Sequence, residues 1–152
     1  MNNLDKNKAV VEKLIVDALP NNNVDFVKTV VTPETVTHRV GFADLYEATG
    51  DAIPQDGNFM EWMRDGWDVL HAALSDQKVE MKHMVAEDNK VIAQFHYNAT
   101  HSGTFAGQAG DNKKITWDEF GIFIFNEEGK ITEMWYYITE LSAALQLGYK
   151  LK

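Results

Sequence analysis

Cysteine is absent from this 152-residue chain. Disulfides, thiolate metal sites and a thiol nucleophile are therefore excluded, and a reducing compartment suits such a composition. Long apolar runs are missing too, since no stretch approaches the ~20 residues needed to span a bilayer. The opening Met1-Asn2-Asn3-Leu4-Asp5-Lys6 lacks the basic flank and apolar run of a secretion signal, so a cytoplasmic location is expected. Basic residues are scarce. Lysine and arginine number 14 against 23 acids, giving a formal net charge of −9. With no basic stripe to override it, such a surface repels phosphate backbones and argues against a nucleic-acid partner. There is no Gly-x-Ser-x-Gly elbow and no glycine-rich loop opening a helix, which removes two common nucleophile and phosphate devices.

What is present is periodicity. Val11, Leu14, Ile15 and Ala18 recur at helical spacing and predict a helix over Asp5–Leu19, with Asp5 as N-cap and Pro20 as its stop. A short second helix is expected over Val24–Val31, ended by Thr32-Pro33, with a strand over Thr35–Val40 after it. Residues 41–57 are punctuated by Gly50, Pro54 and Gly57 and read as a loop long enough to form a lid or pocket wall. Phe59, Met63, Trp67, Leu70 and Leu74 then form the stripe of a third helix, Asn58–Leu74. Beyond it the period falls to two. Strands are predicted over Lys78–Glu87, Lys90–Phe105, Lys113–Phe125 and Lys130–Thr139, followed by a tail helix Glu140–Leu147 that stops at Gly148. Helices first and strands afterwards indicate an α+β fold in one domain, residues 1–152, with a four-stranded antiparallel meander curled round the helices into an open cone.

The second half carries an ordered set of short segments: Thr100-His101-Ser102-Gly103 with Gly107 following, Glu128-Gly129-Lys130-Ile131, Trp135, and Gln146-Leu147-Gly148. In order and near-spacing this set resembles the SnoaL-like polyketide and ester cyclases of the cystatin-like (NTF2-like) α+β barrel superfamily. The resemblance covers roughly residues 78–148, and more loosely the opening helix with Thr32-Pro33. It implies a cone-shaped barrel whose mouth holds a small apolar ligand, often in a dimer or tetramer formed through the sheet. It also locates the family's catalytic positions. The acid/base carboxylate five residues after the Ile of Gly-Lys-Ile falls on Tyr136. The pocket Gln-x-His pair falls on Glu119 and Gly121, and an early-strand Asn falls near Thr37. The aldol-cyclase constellation is thus not retained.

The residues themselves suggest a substitute. Trp117, Glu119, Gly121 and Phe123 share one strand face, as do Met134, Tyr136 and Ile138. A carboxylate among aromatic side chains has its charged form disfavoured, which suits a proton shuttle near neutral pH. Glu119 is accordingly the candidate base and Tyr136 the candidate donor to a developing oxyanion; the bland alternative has Glu119 facing solvent or a subunit contact beside Asp118. His101 is a third candidate, although ordering the loop to Gly107 through hydrogen bonds is the commoner role for a residue so placed. Thr37, His38, His83, Phe95, Trp117, Phe123 and Met134 are the candidate ligand-binding residues. His83 shares its predicted face with Val79, Met81 and Val85, where a satisfied core histidine is the commoner outcome. The histidines at 38, 71, 83, 96 and 101 show no metal-ligand spacing, so no metal is expected.

Three functions follow as expectations. One is an acid/base enzyme of the cyclase or isomerase type, working without cofactor on a small apolar carbonyl compound. Another is a non-catalytic small-molecule-binding module, and the last a dimerisation module. Trp135 and Tyr137, opposite Tyr136, are bulky enough for a subunit contact, so a homodimer is expected.

Overall fold

The computed structural model describes residues 3–41 and 56–152. Helix α1 (Asn3–Lys13) runs straight into a π-helical turn, Leu14–Ala18. In that wider turn the amide of Leu19 bonds the carbonyl of Leu14 at 2.9 Å, five residues back. The extra residue per turn brings Leu14, Ile15, Ala18 and Leu19 onto one buried face. The expected single α-helix therefore has its second half rewound, and Asp5 lies inside the first turn instead of capping it.

Helix α2 (Val24–Val30) is capped by Asn23, whose side chain accepts from the Phe26 amide at 3.1 Å. Strand β1 (Val31–Val40) follows without a break and contains Thr32-Pro33. Proline lacks the N–H a ladder needs, and the register with its neighbour shifts between Val31 and Val36 to accommodate it. Short strand β2 (Asp56–Asn58) leads into helix α3 (Phe59–Ala73), where the Asn58 side chain accepts from the Glu61 amide at 3.0 Å. The predicted stripe of α3 is realised: Phe59, Met63 and Trp67 are buried, together with Trp62. Burying each such side chain is worth roughly 1.5–3 kcal/mol.

Strands β3 (Leu74–Glu87), β4 (Lys90–His101), β5 (Lys114–Phe125) and β6 (Ile131–Ile138) form the expected antiparallel run, and α4 (Glu140–Gln146) ends it. The sheet is wider than expected. Among the described residues it has six strands in the order β2-β1-β6-β5-β4-β3, with β1 parallel to β6. A pairing between the first strand and the last cannot be read from local periodicity. The long strands curve round α1, its π turn and α3, giving an open, cone-shaped α+β fold. No helix among the described residues is long and apolar enough to cross a membrane. The predicted loop or lid over residues 41–57 falls almost wholly on positions outside the described residues.

Candidate functional site

Strand alternation builds one wall of a cavity. Along β5 the inward positions Ile115, Trp117, Glu119, Gly121, Phe123 and Phe125 are all buried, while Thr116, Asp118, Phe120 and Ile122 face outward. Glu119 is the one charged side chain in that inward row, and it is 8% exposed. A cavity of about 80 Å³ lies over it, walled by Trp117 and Glu119 from β5, Tyr97 from β4, Tyr136 from β6 and Arg39 from β1. Helix α3 closes the other side with Phe59, Trp62 and Trp67. That space is several times what a single water requires.

The carboxylate is held, not loose. Trp117 Nε1 donates to Glu119 Oε1 at 2.7 Å, and the Trp117 ring is stacked on Tyr97 with centroids 4.8 Å apart and planes 5° from parallel. Burial pushes the Glu119 carboxyl up from its ordinary 4.5 to about 7, opposed by the Trp117 hydrogen bond and the nearby charge of Arg39. Tyr136 is buried beside Phe123, edge to face at 5.8 Å. Its hydroxyl donates to Met134 Sδ at 3.3 Å, and burial raises its pKa. Gly121 explains how these rings fit: a Cβ there would lie 2.5 Å from the Phe123 ring.

The sequence-matched family model for SnoaL-like polyketide cyclases covers residues 9–147. This chain belongs to the SnoaL-like family. Solved structures agree on the fold. IdmH from Streptomyces antibioticus matches with a TM-score of 0.76 at 19% identity over 94% of this chain and 99% of its own. AclR from Streptomyces galilaeus gives 0.77 at 20% over 98% and 89%. A SnoaL-like polyketide cyclase from Agrobacterium tumefaciens gives 0.69 at 16% over 97% and 100%. A comparison with curated protein sequences finds no match.

The motifs behind the resemblance hold the SnoaL-like fold together. The amides of Ser102 and Gly103 both donate to the carbonyl of Ala73, and Ser102 Oγ donates to that of Ala72 at 2.8 Å, so Ser102-Gly103 caps α3. A Cβ on Gly103 would meet the Ala72 carbonyl oxygen at 2.9 Å. Gln146 clamps Thr116 on both sides, accepting from its amide at 2.8 Å and donating to its carbonyl at 2.7 Å. Gly129 takes a positive φ of 74° in the hairpin, and Ile131 enters the core fully buried.

The remaining expected residues of this SnoaL-like chain divide sharply. His101 is buried away from the cavity wall, its Nε2 3.2 Å from the Gln108 carbonyl and its Nδ1 3.7 Å from Asp111. It anchors the loop after β4. Phe95, Phe123 and Met134 are fully buried in the core and do not line the cavity. Thr37 is buried on the inner side of β1, and its hydroxyl has no hydrogen-bond partner among the described residues.

Two histidines depart from expectation. His38 follows Thr37 on β1, so alternation turns it to the outer face, stacked on Trp135 at 3.8 Å. There it contacts Asp56, and its Nε2 lies 3.0 Å from Glu133 Oε1. His83 is exposed, because the β3–β4 register shifts between Met81 and His83. The extra residue, Lys82, moves the inward set from 79 and 81 to 84 and 86. Among the described residues no cluster of three potential ligands is arranged for a metal.

Arg39, Trp62 and Tyr97 are among the cavity residues that are not sequence candidates. Arg39 had a local signal, being two residues beyond Thr37 on the same strand face. Trp62 lies off the stripe read for α3, and Tyr97 became recognisable only through its pairing with Trp117.

Proposed function

We propose that this SnoaL-like protein is a cofactor-independent acid/base enzyme, of the cyclase or isomerase type, acting on a small apolar carbonyl compound. The observation that carries the reading is a buried carboxyl in an aromatic-lined cavity, raised to about 7. Near neutral pH such a group is partly ionised, so it both accepts and returns a proton efficiently. In the proposed step ionised Glu119 takes a proton from the carbon next to the carbonyl. The C–H electron pair moves into a new C=C bond, the carbonyl π pair passes to oxygen, and Glu119 is left as the neutral acid. Tyr136 is the proposed hydrogen-bond donor to that oxygen, turning from Met134 to do so.

The test is α-proton exchange in D2O, followed by NMR over a panel of cyclic and aryl ketones. Wild type is expected to exchange at least one ketone, with the rate rising through about pH 7 as Glu119 ionises. Glu119→Gln is expected to lose about 100-fold or more. Exchange indifferent to the substitution, or none with any ketone that raises the melting temperature, would remove the acid/base reading.

The Tyr136–Met134 contact favours a second reading, a non-catalytic binding module, because the phenol proton is already engaged. Ligands that stabilise the fold equally in wild type and Glu119→Gln would support that. We also propose that the protein is a homodimer joined through the outer face of the sheet. Phe120 and Tyr137 are paired across β5 and β6 there and are 48% and 41% exposed. Ile122 pairs with Trp135 beside them.

A further inference from the structure

We infer that Tyr149 is a positioning residue for the cavity: its hydroxyl holds the turn Phe105–Gln108 shut, so that Phe105 stands as a wall of the site and keeps water from the groups inside. This role concerns how the cavity is closed, and it holds whether the site catalyses or only binds. Two of the segments behind the family resemblance meet here, the loop from Thr100-His101-Ser102-Gly103 to Gly107 and the tail Gln146-Leu147-Gly148.

The turn is built on a strained residue. The amides of Phe105 and Gln108 each donate to the other's carbonyl at 2.9 Å, leaving Ala106 and Gly107 as a two-residue loop. Both central residues take positive φ, 47° and 72°, the pattern of a type I′ turn. Asparagine, aspartate or glycine normally opens such a turn, because a Cβ at positive φ crowds the backbone. Ala106 carries that Cβ and has no polar side chain to offset it. It is fully buried, so a polar side chain in its place would be desolvated. Strain of this kind persists only where the surroundings over-determine the residue.

Tyr149 supplies that hold. Gly148, at φ 103°, turns the chain back after α4, and the Tyr149 amide donates to the Ala144 carbonyl at 3.1 Å. The tyrosine ring packs against the core, and its hydroxyl donates to the carbonyl oxygen of Ala106. The adjoining Phe105 is 4% exposed and lines the cavity with Trp62, Trp67, Trp117 and Glu119. On the other side of the turn the Gln108 carbonyl meets His101 Nε2. The turn is thus tied to β4 through His101 and to the C-terminal segment through Tyr149. Of these two ties, that of Tyr149 lies on the strained residue itself. Losing it takes a donor from a buried carbonyl and a restraint from a strained backbone, and both changes favour the open turn.

The experiment is hydrogen exchange by NMR on the full chain, comparing wild type with Tyr149→Phe, which removes the hydroxyl and keeps the ring. The indole N–H groups of Trp62 and Trp67 report on the cavity. Both are buried and have no hydrogen-bond partner among the described residues, so their exchange waits on the arrival of water. The indole of Trp135, stacked on His38 at the outer face of the sheet, is the control. Tyr149→Phe is expected to speed exchange of the Phe105 and Gln108 amides at least about threefold. The Trp62 and Trp67 indoles should accelerate by a similar factor, because one opening serves both, while Trp135 and the β4–β5 ladder amides keep their rates. Adding Ala106→Gly, which removes the strain that the hydroxyl restrains, should bring the rates back toward wild type.

Faster amides at Phe105 and Gln108 with unchanged Trp62 and Trp67 indoles would mean a turn that frays without guarding the cavity, and would overturn the inference. Unchanged amides overturn it too, as does acceleration spread through the β4–β5 ladder, the mark of general destabilisation. Rates that stay high after Ala106→Gly overturn it as well, since no strained turn is then being restrained.

Discussion

Glu119 is placed by two opposed demands. Burial makes its charge costly, while the Trp117 N–H and the Arg39 charge make that charge tolerable, and the result is a carboxyl near about 7. Stability is linked to this shift. Between the ordinary 4.5 and about 7 the folded protein binds a proton that the unfolded chain has released, so stability falls as pH rises through that window and levels above it. The decline attributable to Glu119 is on the order of 3 kcal/mol at most. Thermal unfolding of wild type and Glu119→Gln from about pH 4 to pH 9 checks it: the substitution should flatten the decline. A parallel offset between the two curves, with the slope unchanged, would mean that Glu119 ionises as it does in the unfolded chain. At the same scale Gly121 makes room for its neighbour, since a Cβ there would lie 2.5 Å from the Phe123 ring.

At the scale of elements, β3 shows how one residue changes a face. Period two from Val79 would carry Met81, His83 and Val85 inward. The bulge at Lys82 ends that series, turning Met84 and Ala86 toward the core and leaving Val85 64% exposed. His83→Ala should change stability by less than about 0.5 kcal/mol and leave ligand affinity untouched. Val79→Ala, on the same strand before the bulge, should cost roughly 1–3 kcal/mol. Urea unfolding midpoints for the two variants make the comparison, and a large loss for His83→Ala would contradict the outward placement. The π turn after α1 is the helical counterpart, widening one turn so that four apolar side chains meet the sheet. Neither irregularity has a composition signal, since both arise when a regular element must fit a curved partner.

The whole molecule presents two faces of different character. Inside, apolar side chains from α1, α3 and the sheet pack into one core around the cavity. Outside, Ile92, Phe120 and Tyr137 remain exposed beside Trp135. If this face joins two copies, Phe120→Glu with Tyr137→Glu should yield a folded monomer in light scattering at micromolar concentration, with circular dichroism unchanged. A wild-type protein that is already monomeric under those conditions would end the homodimer proposal. The cavity opens on the opposite side of the sheet, so dissociation is expected to leave ligand binding intact.

The sequence by itself determined what is local. Helical stripes, the two-residue period of β4 to β6 and the shared inward face of Glu119 and Tyr136 all follow from residue spacing. Family membership was legible for the same reason, because its motifs are turn and cap signals. Tertiary structure decided the rest. The β1–β6 pairing, the bulge at Lys82, the outward turn of His38 and the arrival of Arg39 and Trp62 over Glu119 depend on how distant segments cross. A cavity is the space left between elements after packing, and its walls here come from β1, α3, β4, β5 and β6. No single stretch of chain encodes such a space, so its chemistry became visible only when the curved sheet had closed around the helices.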